Sequence, residues 1–478
     1  MNEHEDTYFF SRDEALQVAT RQNRFDNDEK LQACYYDGEK IESDLVNLIH
    51  LPVDNLVEDL ARGRFRLPTK VDLNGLELSS RVKIDITTNF NMSLFKVREY
   101  RNQYNQGYLK SLKTAILDFN EPLRFYLSAS VTTQVMRYVS KDIANILEEA
   151  GHEVMYDLYL GIEDVSCLKN INQFNPHVTI NINHLNNSYL NDECFNFVWF
   201  QDPMPVMYNS DKIHLRERDF IFSYTTLFTK LLINKGVDKN QIFKQYVFPV
   251  DTKSFFNNEN IERSRKIVFV GSFYQPSSYS KHVNKDIDME LRQVLESGNM
   301  LSFETLKSIF NKHNVYIDSD EESVYFNLIQ QGYNRNISVE WLCEKHEIDL
   351  YGYNWEICLN ENIRKNFKGS IEKAKLNNLY NSAKYVLAAS GQVINTQRLG
   401  EMAHAGAIPV IYDSRGLTDE DETWEDECLY FKTKEELEYI LDNNIKPKKY
   451  MSKRMLEYFT YDNFFKIIFE QINIKLTK

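Results

Sequence analysis

Cysteine is scarce, with six in 478 residues: Cys34, Cys167, Cys194, Cys343, Cys358 and Cys428. They stand far apart, with no Cys-x-x-Cys pair and no histidine at metal-ligand spacing, which argues against a disulfide framework and a structural zinc site. A reducing, cytoplasmic compartment is the expectation. Positive charge is also short, at 56 Lys and Arg against 70 Asp and Glu, for a net charge of -14. That balance argues against broad binding to nucleic acid or to an anionic membrane. No stretch of about 18 uninterrupted apolar residues occurs, and the opening MNEHEDTYFFSRDEAL has neither a basic start nor an apolar core. We therefore expect neither a cleaved export signal nor a membrane span, and peripheral membrane association stays open. No repeat of solenoid period is present. No G-x-G-x-x-G follows a strand-like segment, which disfavours a dinucleotide oxidoreductase.

What is present suits a folded chain: 42% hydrophobic, 13% aromatic and 26% charged residues, in a length that allows about two to four domains. Residues 1–118 are polar and mostly helical in pattern, broken by Leu67-Pro68 and Asn74-Gly75, with Arg81 to Thr88 alternating as one half-buried strand. This extension carries no visible chemistry and reads as an appended scaffold or interaction domain. From Leu123 onward short apolar strands alternate with amphipathic helices, the pattern of parallel sheets built from βαβ units. The segments LRFYLSAS, HEVMYDLYL, PHVTININH, FNFVWFQDP and RDFIFSYT are strands of a first doubly wound domain, 119–255. KIVFVGSFY, EIDLYGYNW, KYVLAAS and AIPVIYD are strands of a second, 256–450, and residues 451–478 form a closing helix. The fold class is α/β, with two Rossmann-like domains whose strand ends face a cleft. Such edges are where α/β folds bind ligands, so a cleft-binding enzyme is expected.

VFPVDTKSF, with Pro249, Val250, Asp251 and Phe255, resembles the interdomain linker of the group 1 glycosyltransferases. Lys368 to Asp413 resembles their donor-site segment, supplying Arg398, Glu401, Ala403 to Ala405, Gly406, Pro409 and Val410. It is similar in particular to the spore-maturation-protein-like branch. The resemblance implies a GT-B fold and a glycosyltransferase, hexosyltransferase in type, that needs no metal or other cofactor and uses a nucleotide-diphosphate sugar as donor. In that family the first domain binds the acceptor and the second the donor.

The residues carry this chemistry physically too. A helix opening near Asn395 directs the amides of Thr396, Gln397 and Arg398 at the sheet's carboxyl edge, where they suit a diphosphate. Arg398 adds a bidentate contact, and Glu401, on the same helix face, is by resemblance the acid that holds the ribose hydroxyls. The alternative is an ordinary Arg398/Glu401 surface pair. Gly271 and Ser272 follow a strand and lie by resemblance against the phosphates, with Lys281 as a further contributor. Tyr353 and Asn354 resemble the loop that cradles the base, or else pack in a core. Lys368 would neutralise the leaving diphosphate, or is simply solvated. On the acceptor side Asp202, at a strand's carboxyl end, is the candidate general base if partly desolvated. His184 is the alternative base, and Thr132 and Thr133 cap a helix or touch the acceptor. Thr418 to Glu427, an acidic run, reads as a solvated loop on the far side of the donor domain. Val393 stands where retaining relatives often carry a second acid, which leaves the stereochemistry open.

The expected function is transfer of a sugar to an acceptor hydroxyl on a surface glycan, a lipid-linked sugar or a protein. The alternatives are a nucleotide-sugar epimerase or hydrolase and a catalytically idle GT-B-like protein that binds a glycan or a partner.

Overall fold

Short alternating segments punctuated by Asn and Gly turns assemble into three sheets, in which the strand pairings described below are parallel. The computed structural model describes residues 7–9, 12–13, 15–16, 33–35, 40–42, 48–50, 70–72, 80–119, 122–130, 134–159, 165–202, 204–245, 248–274, 281–317, 319–390, 393–417 and 422–476. Four strands of three residues come first: β1 (Thr7–Phe9), β2 (Ala33–Tyr35), β3 (Leu48–His50) and β4 (Lys70–Asp72). They pair in parallel in the order β3-β2-β1-β4.

A 34-residue helix, α1 (Ser80–Lys113), follows. It contains Arg81 to Thr88, expected as a strand. Ordinary residues differ in helix propensity by only about 0.7 kcal/mol each, so β-branched residues there do not forbid a helix that is anchored elsewhere. The anchor lies at its far end, where Leu112 is buried with Tyr126, Leu168 and Ile171.

The first α/β sheet is built from β5 (Arg124–Ser130), α2 (Gln134–Glu149), β6 (Glu153–Tyr159), α3 (Val165–Phe174), β7 (Val178–Ile182), β8 (Phe195–Phe200), β9 (Asp219–Ser223), α4 (Thr226–Asn234) and β10 (Ile242–Lys244). Its order is β10-β9-β8-β7-β5-β6. The pairs β5–β6, β5–β7 and β7–β8 run parallel. Every residue of β7, β8 and β9 is buried, as expected of strands covered on both faces. Their polar members bond to one another. Ser128 donates to Asn181 at 3.0 Å, Asn181 and Thr179 donate to Asn196 Oδ1 at 2.9 and 2.8 Å, and Asn196 donates to the Leu185 carbonyl at 2.8 Å. Asp219, fully buried, closes the chain through a 2.6 Å ion pair with Arg216.

The second sheet uses β11 (Arg265–Val270), α5 (Lys285–Glu296), α6 (Phe303–Lys312), α7 (Ser319–Lys345), β12 (Asp349–Tyr351), α8 (Lys373–Ser382), β13 (Ala383–Ala388), α9 (Gln397–His404), β14 (Ile408–Tyr412), β15 (Leu429–Phe431), α10 (Lys434–Asp442) and the closing α11 (Asp462–Leu476). Its order is β12-β11-β13-β14-β15, all parallel. Alternate residues feed two cores. Ile267, Phe269, Tyr385, Leu387 and Val410 pack on one face with α5, α6, α7 and α10, and Val268, Val270, Val386 and Ile411 pack on the other with Leu399, Met402 and Phe459. A Leu or Phe fully buried this way contributes about 1.5–3 kcal/mol. By contacts the chain divides into two compact units, Met1–Gln201 with His214–Ile221 and Asp202–Ile213 with Phe222–Lys478.

Candidate active site

In the second sheet the strand order reverses between β11 and β13: the chain leaves β11 outward to β12 and returns to β13 on the other side. Loops leaving two such neighbours diverge and open a crevice at the carboxyl edge. The loop after β11 starts at Gly271 and runs beside the loop after β12. The Gly271 amide donates to Tyr351 O at 2.8 Å, and the Phe273 amide donates to Tyr353 O at 2.9 Å. Trp355, buried, donates its indole N–H to Gly271 O at 2.6 Å. Gly352 permits this approach. Its φ is 142°, and a Cβ on it would stand 2.2 Å from the Gly271 oxygen.

The loop after β13 leads into α9, whose N-cap is Thr396. The helix therefore opens one residue later than the expected Asn395. Thr396 Oγ1 accepts from the Leu399 amide at 3.4 Å, while the amides of Gln397 and Arg398, the first two of the helix, have no intrahelical acceptor. Asn395 itself is fully buried and accepts from the Trp424 indole at 2.6 Å. Arg398 is half-buried, its Nε has no hydrogen-bond partner among the described residues, and its Nη1 lies 3.3 Å from where a Cβ on Gly271 would sit. Gly271 and Arg398 are thus brought together.

A second arginine joins them. Arg335, from α7, donates to Ser272 O at 3.2 Å and to Ala389 O at 3.5 Å, so it spans the two loops of the switch point. It also lies 4.5 Å over the ring of Tyr274. Burial lowers its pKa to about 10, and the nearby charge of Arg398 adds to the fall. Arg335 remains a cation at neutral pH, and neither arginine has an ion-pair partner among the described residues. On either side of Arg335, Asn334 donates to Ser390 O at 3.2 Å and Asn336 to Tyr274 O at 2.8 Å. The sequence reading missed Arg335. The available trace is that Gln330, Asn334 and Ser338 place buried polar groups at helical spacing on the same helix as buried Phe326, Ile329, Tyr333 and Ile337.

Glu401 is buried, one turn along α9. It and Arg398 both act on the buried Tyr380. Burial pushes that phenol far up, Glu401 adds to the rise and Arg398 opposes it. Ser272 is half-buried in the crevice loop, and Lys281 is exposed. Tyr353 is exposed, and Asn354 adopts a left-handed φ of 67° at the opening of a 3-10 turn. Lys368 is not brought to the arginines. It is exposed on the outer side of β12, its amide donating to Leu350 O at 2.8 Å, and β12 and β11 separate it from β13.

In the first sheet the order reverses between β5 and β7. His184 follows β7 there, flanked by Asn183 and Asn186 at left-handed φ of 64° and 50°. Burial lowers the His184 pKa, which favours a neutral imidazole able to accept a proton. Asp202, expected to be partly desolvated, is exposed. Thr132 and Thr133 lie outside the described residues. Residues 418–421 of the acidic run lie outside the described residues; in the remainder, expected as a solvated loop, Trp424 and Glu427 are buried, the aromatic ring joining the core around Phe459. Among the described residues no group of three His, Cys, Asp or Glu side chains could hold a metal ion, and no helix is long and apolar enough to cross a membrane.

Comparison with known proteins bears on the second sheet. Residues 335–466 match a glycosyl transferase-like family model, a span that begins at Arg335 and includes Arg398 and Glu401. No curated protein matches the chain in sequence. Among solved structures it is similar to sucrose-phosphate synthase from Thermosynechococcus elongatus, at 10% identity and a TM-score of 0.45, covering 74% of this chain and 99% of that one. It is similar also to a glycosyltransferase from Rickettsia africae, at 11% identity and TM-score 0.41, and to the lipopolysaccharide outer core galactosyltransferase WaaB, at 10% and 0.41, each covering 74% of this chain and 99% of the other. The fold rests on the chain's own topology, two Rossmann-like α/β sheets. The likeness in sequence to the glycosyl transferase-like family is thus confined to residues 335–466, the part of the chain that carries Arg335, Arg398 and Glu401.

Proposed function

We propose that the crevice between β11 and β13 binds the diphosphate of a nucleotide sugar, and that the chain transfers the sugar to an acceptor hydroxyl. One observation carries this reading: two neighbouring guanidiniums, Arg335 and Arg398, share one crevice, the charge of Arg398 lowers the pKa of Arg335, and neither has an ion-pair partner among the described residues. A buried cation without a partner is costly, and an anionic ligand removes that cost. Glu401, a two-oxygen acceptor, holds the ribose hydroxyls.

The acceptor oxygen attacks the anomeric carbon as the bond from that carbon to the β-phosphate oxygen breaks. The bonding pair leaves with the nucleoside diphosphate, whose new charge faces Arg335 and Arg398. The acceptor hydroxyl gives up its proton to a base or to solvent as it attacks. In this reading Arg335 takes the part expected of Lys368, and the reaction is written without a metal ion. The acceptor is a glycan, a lipid-linked sugar or a protein.

Calorimetric titration with UDP, GDP, CMP and dTDP tests the donor site. One of the nucleoside diphosphates binds, and Arg398→Ala and Glu401→Ala each weaken that binding measurably; no binding by the wild type refutes the reading. A second reading, a donor-binding protein without transfer, draws on Val393 in place of the second acid, and binding without sugar transfer would favour it.

A further inference from the structure

We propose that Trp424 is a positioning residue for the donor crevice, acting through Asn395 on the turn that carries Arg398; this rests on the donor reading above. Trp424 belongs to the acidic run and is fully buried with a left-handed φ of 47°. A bulky residue in that region costs roughly 1–2 kcal/mol and persists only where its surroundings fix it. The surroundings here are Tyr458 at 5.0 Å, Phe459 at 5.8 Å and the Arg454 guanidinium 5.1 Å over the ring. Arg454 in turn pairs with Glu422 at 2.6 Å.

Packing alone would be met by a ring without a polar atom. The indole N–H instead points at Asn395 Oδ1, 2.6 Å away, and the Asn395 amide nitrogen donates to Glu422 O at 3.0 Å. Both ends of a fully buried amide are therefore held by the acidic segment, immediately before the N-cap of α9. From Asn395 the chain passes through Thr396, whose amide donates to Ile394 O at 2.7 Å, and reaches Arg398 within one turn. Asn334 and Arg335 hold the start of the same loop, at Ser390 and Ala389. The loop after β13 is thus gripped at one end by α7 and at the other by Trp424. The grip at Trp424 sets the direction of the first α9 turn, and with it where the Arg398 guanidinium stands.

The test is calorimetric titration with UDP, GDP, CMP and dTDP of wild type, Trp424→Phe, Arg398→Ala and the double variant, with thermal unfolding of each. Trp424→Phe keeps the ring and removes the N–H. It should weaken the bound nucleotide about fivefold, the equivalent of one lost hydrogen bond, and should cause no further loss in the Arg398→Ala background. If Trp424→Phe does not fold, Asn395→Ala makes the same test from the other side. Equal affinity in wild type and Trp424→Phe, or losses that add in the double variant, would overturn the proposal while leaving the donor reading intact. If wild type binds none of UDP, GDP, CMP and dTDP, the donor reading falls and this proposal falls with it.

Discussion

In the first sheet Asn181, Asn196 and Asp219 are buried and bonded to one another and to Arg216; at the edge of the second, Arg335 and Arg398 stand beside each other, Arg335 held by carbonyls and the Tyr274 ring, with no ion-pair partner for either among the described residues. The contrast separates two uses of buried polarity. A network whose donors and acceptors answer one another specifies a core and asks for nothing further. Like charges held together are incomplete, and in the proposed donor reading an anion supplied from outside completes them. The first arrangement lies within the strands and the second at a strand-order reversal, where loops rather than ladders set the geometry.

The contrast can be broken or sharpened by substitution. Arg216→Ala leaves Asp219 buried without its cation and should cost about 3–5 kcal/mol in urea unfolding, with nucleotide affinity of the folded fraction unchanged. Arg335→Met should do the reverse. Loss of a charge-assisted contact of about 1.5–3 kcal/mol weakens nucleotide binding roughly 10- to 100-fold. Its melting temperature should hold or rise, because one of two facing cations is gone. A fall in stability as large as that of Arg216→Ala would erase the distinction.

Gly400→Ala probes the packing that carries Arg398. A Cβ there would stand 2.6 Å from Val250 Cγ2 and 2.8 Å from Phe459 Cδ1, so overpacking should cost about 1–3 kcal/mol by denaturant titration. Smallest is Thr179→Val, which keeps shape and removes one bond to Asn196. It should cost about 1 kcal/mol and leave nucleotide affinity alone.

Strands β5 to β9 and β11 to β14 and the segment from Lys368 to Asp413 were legible because each depends on local periodicity or on a compact motif, whereas β1 to β4, in an extension expected to be mostly helical, and β10 and β15 have three residues each, too few to show a period. Arg81 to Thr88 was not legible, since its alternation is also compatible with a helix and the anchor at Leu112 lies well outside that stretch. Trp424 hid inside an acidic run whose average polarity masks one aromatic that belongs to the core.

The sequence by itself determined the α/β class, the strand–loop–helix unit bearing Arg398 and Glu401, and the shortage of basic charge that turns attention to a local pocket. Tertiary structure alone decided which cation faces Arg398. Arg335 meets carbonyls 63 and 54 residues away in the chain, a proximity created by the order in which β11 and β13 pair. Lys368, nearer in sequence to Arg398, is carried to the outer edge by the same pairing. Periodicity records which face of an element is buried, and only the assembled sheet fixes which loops become neighbours at its edge.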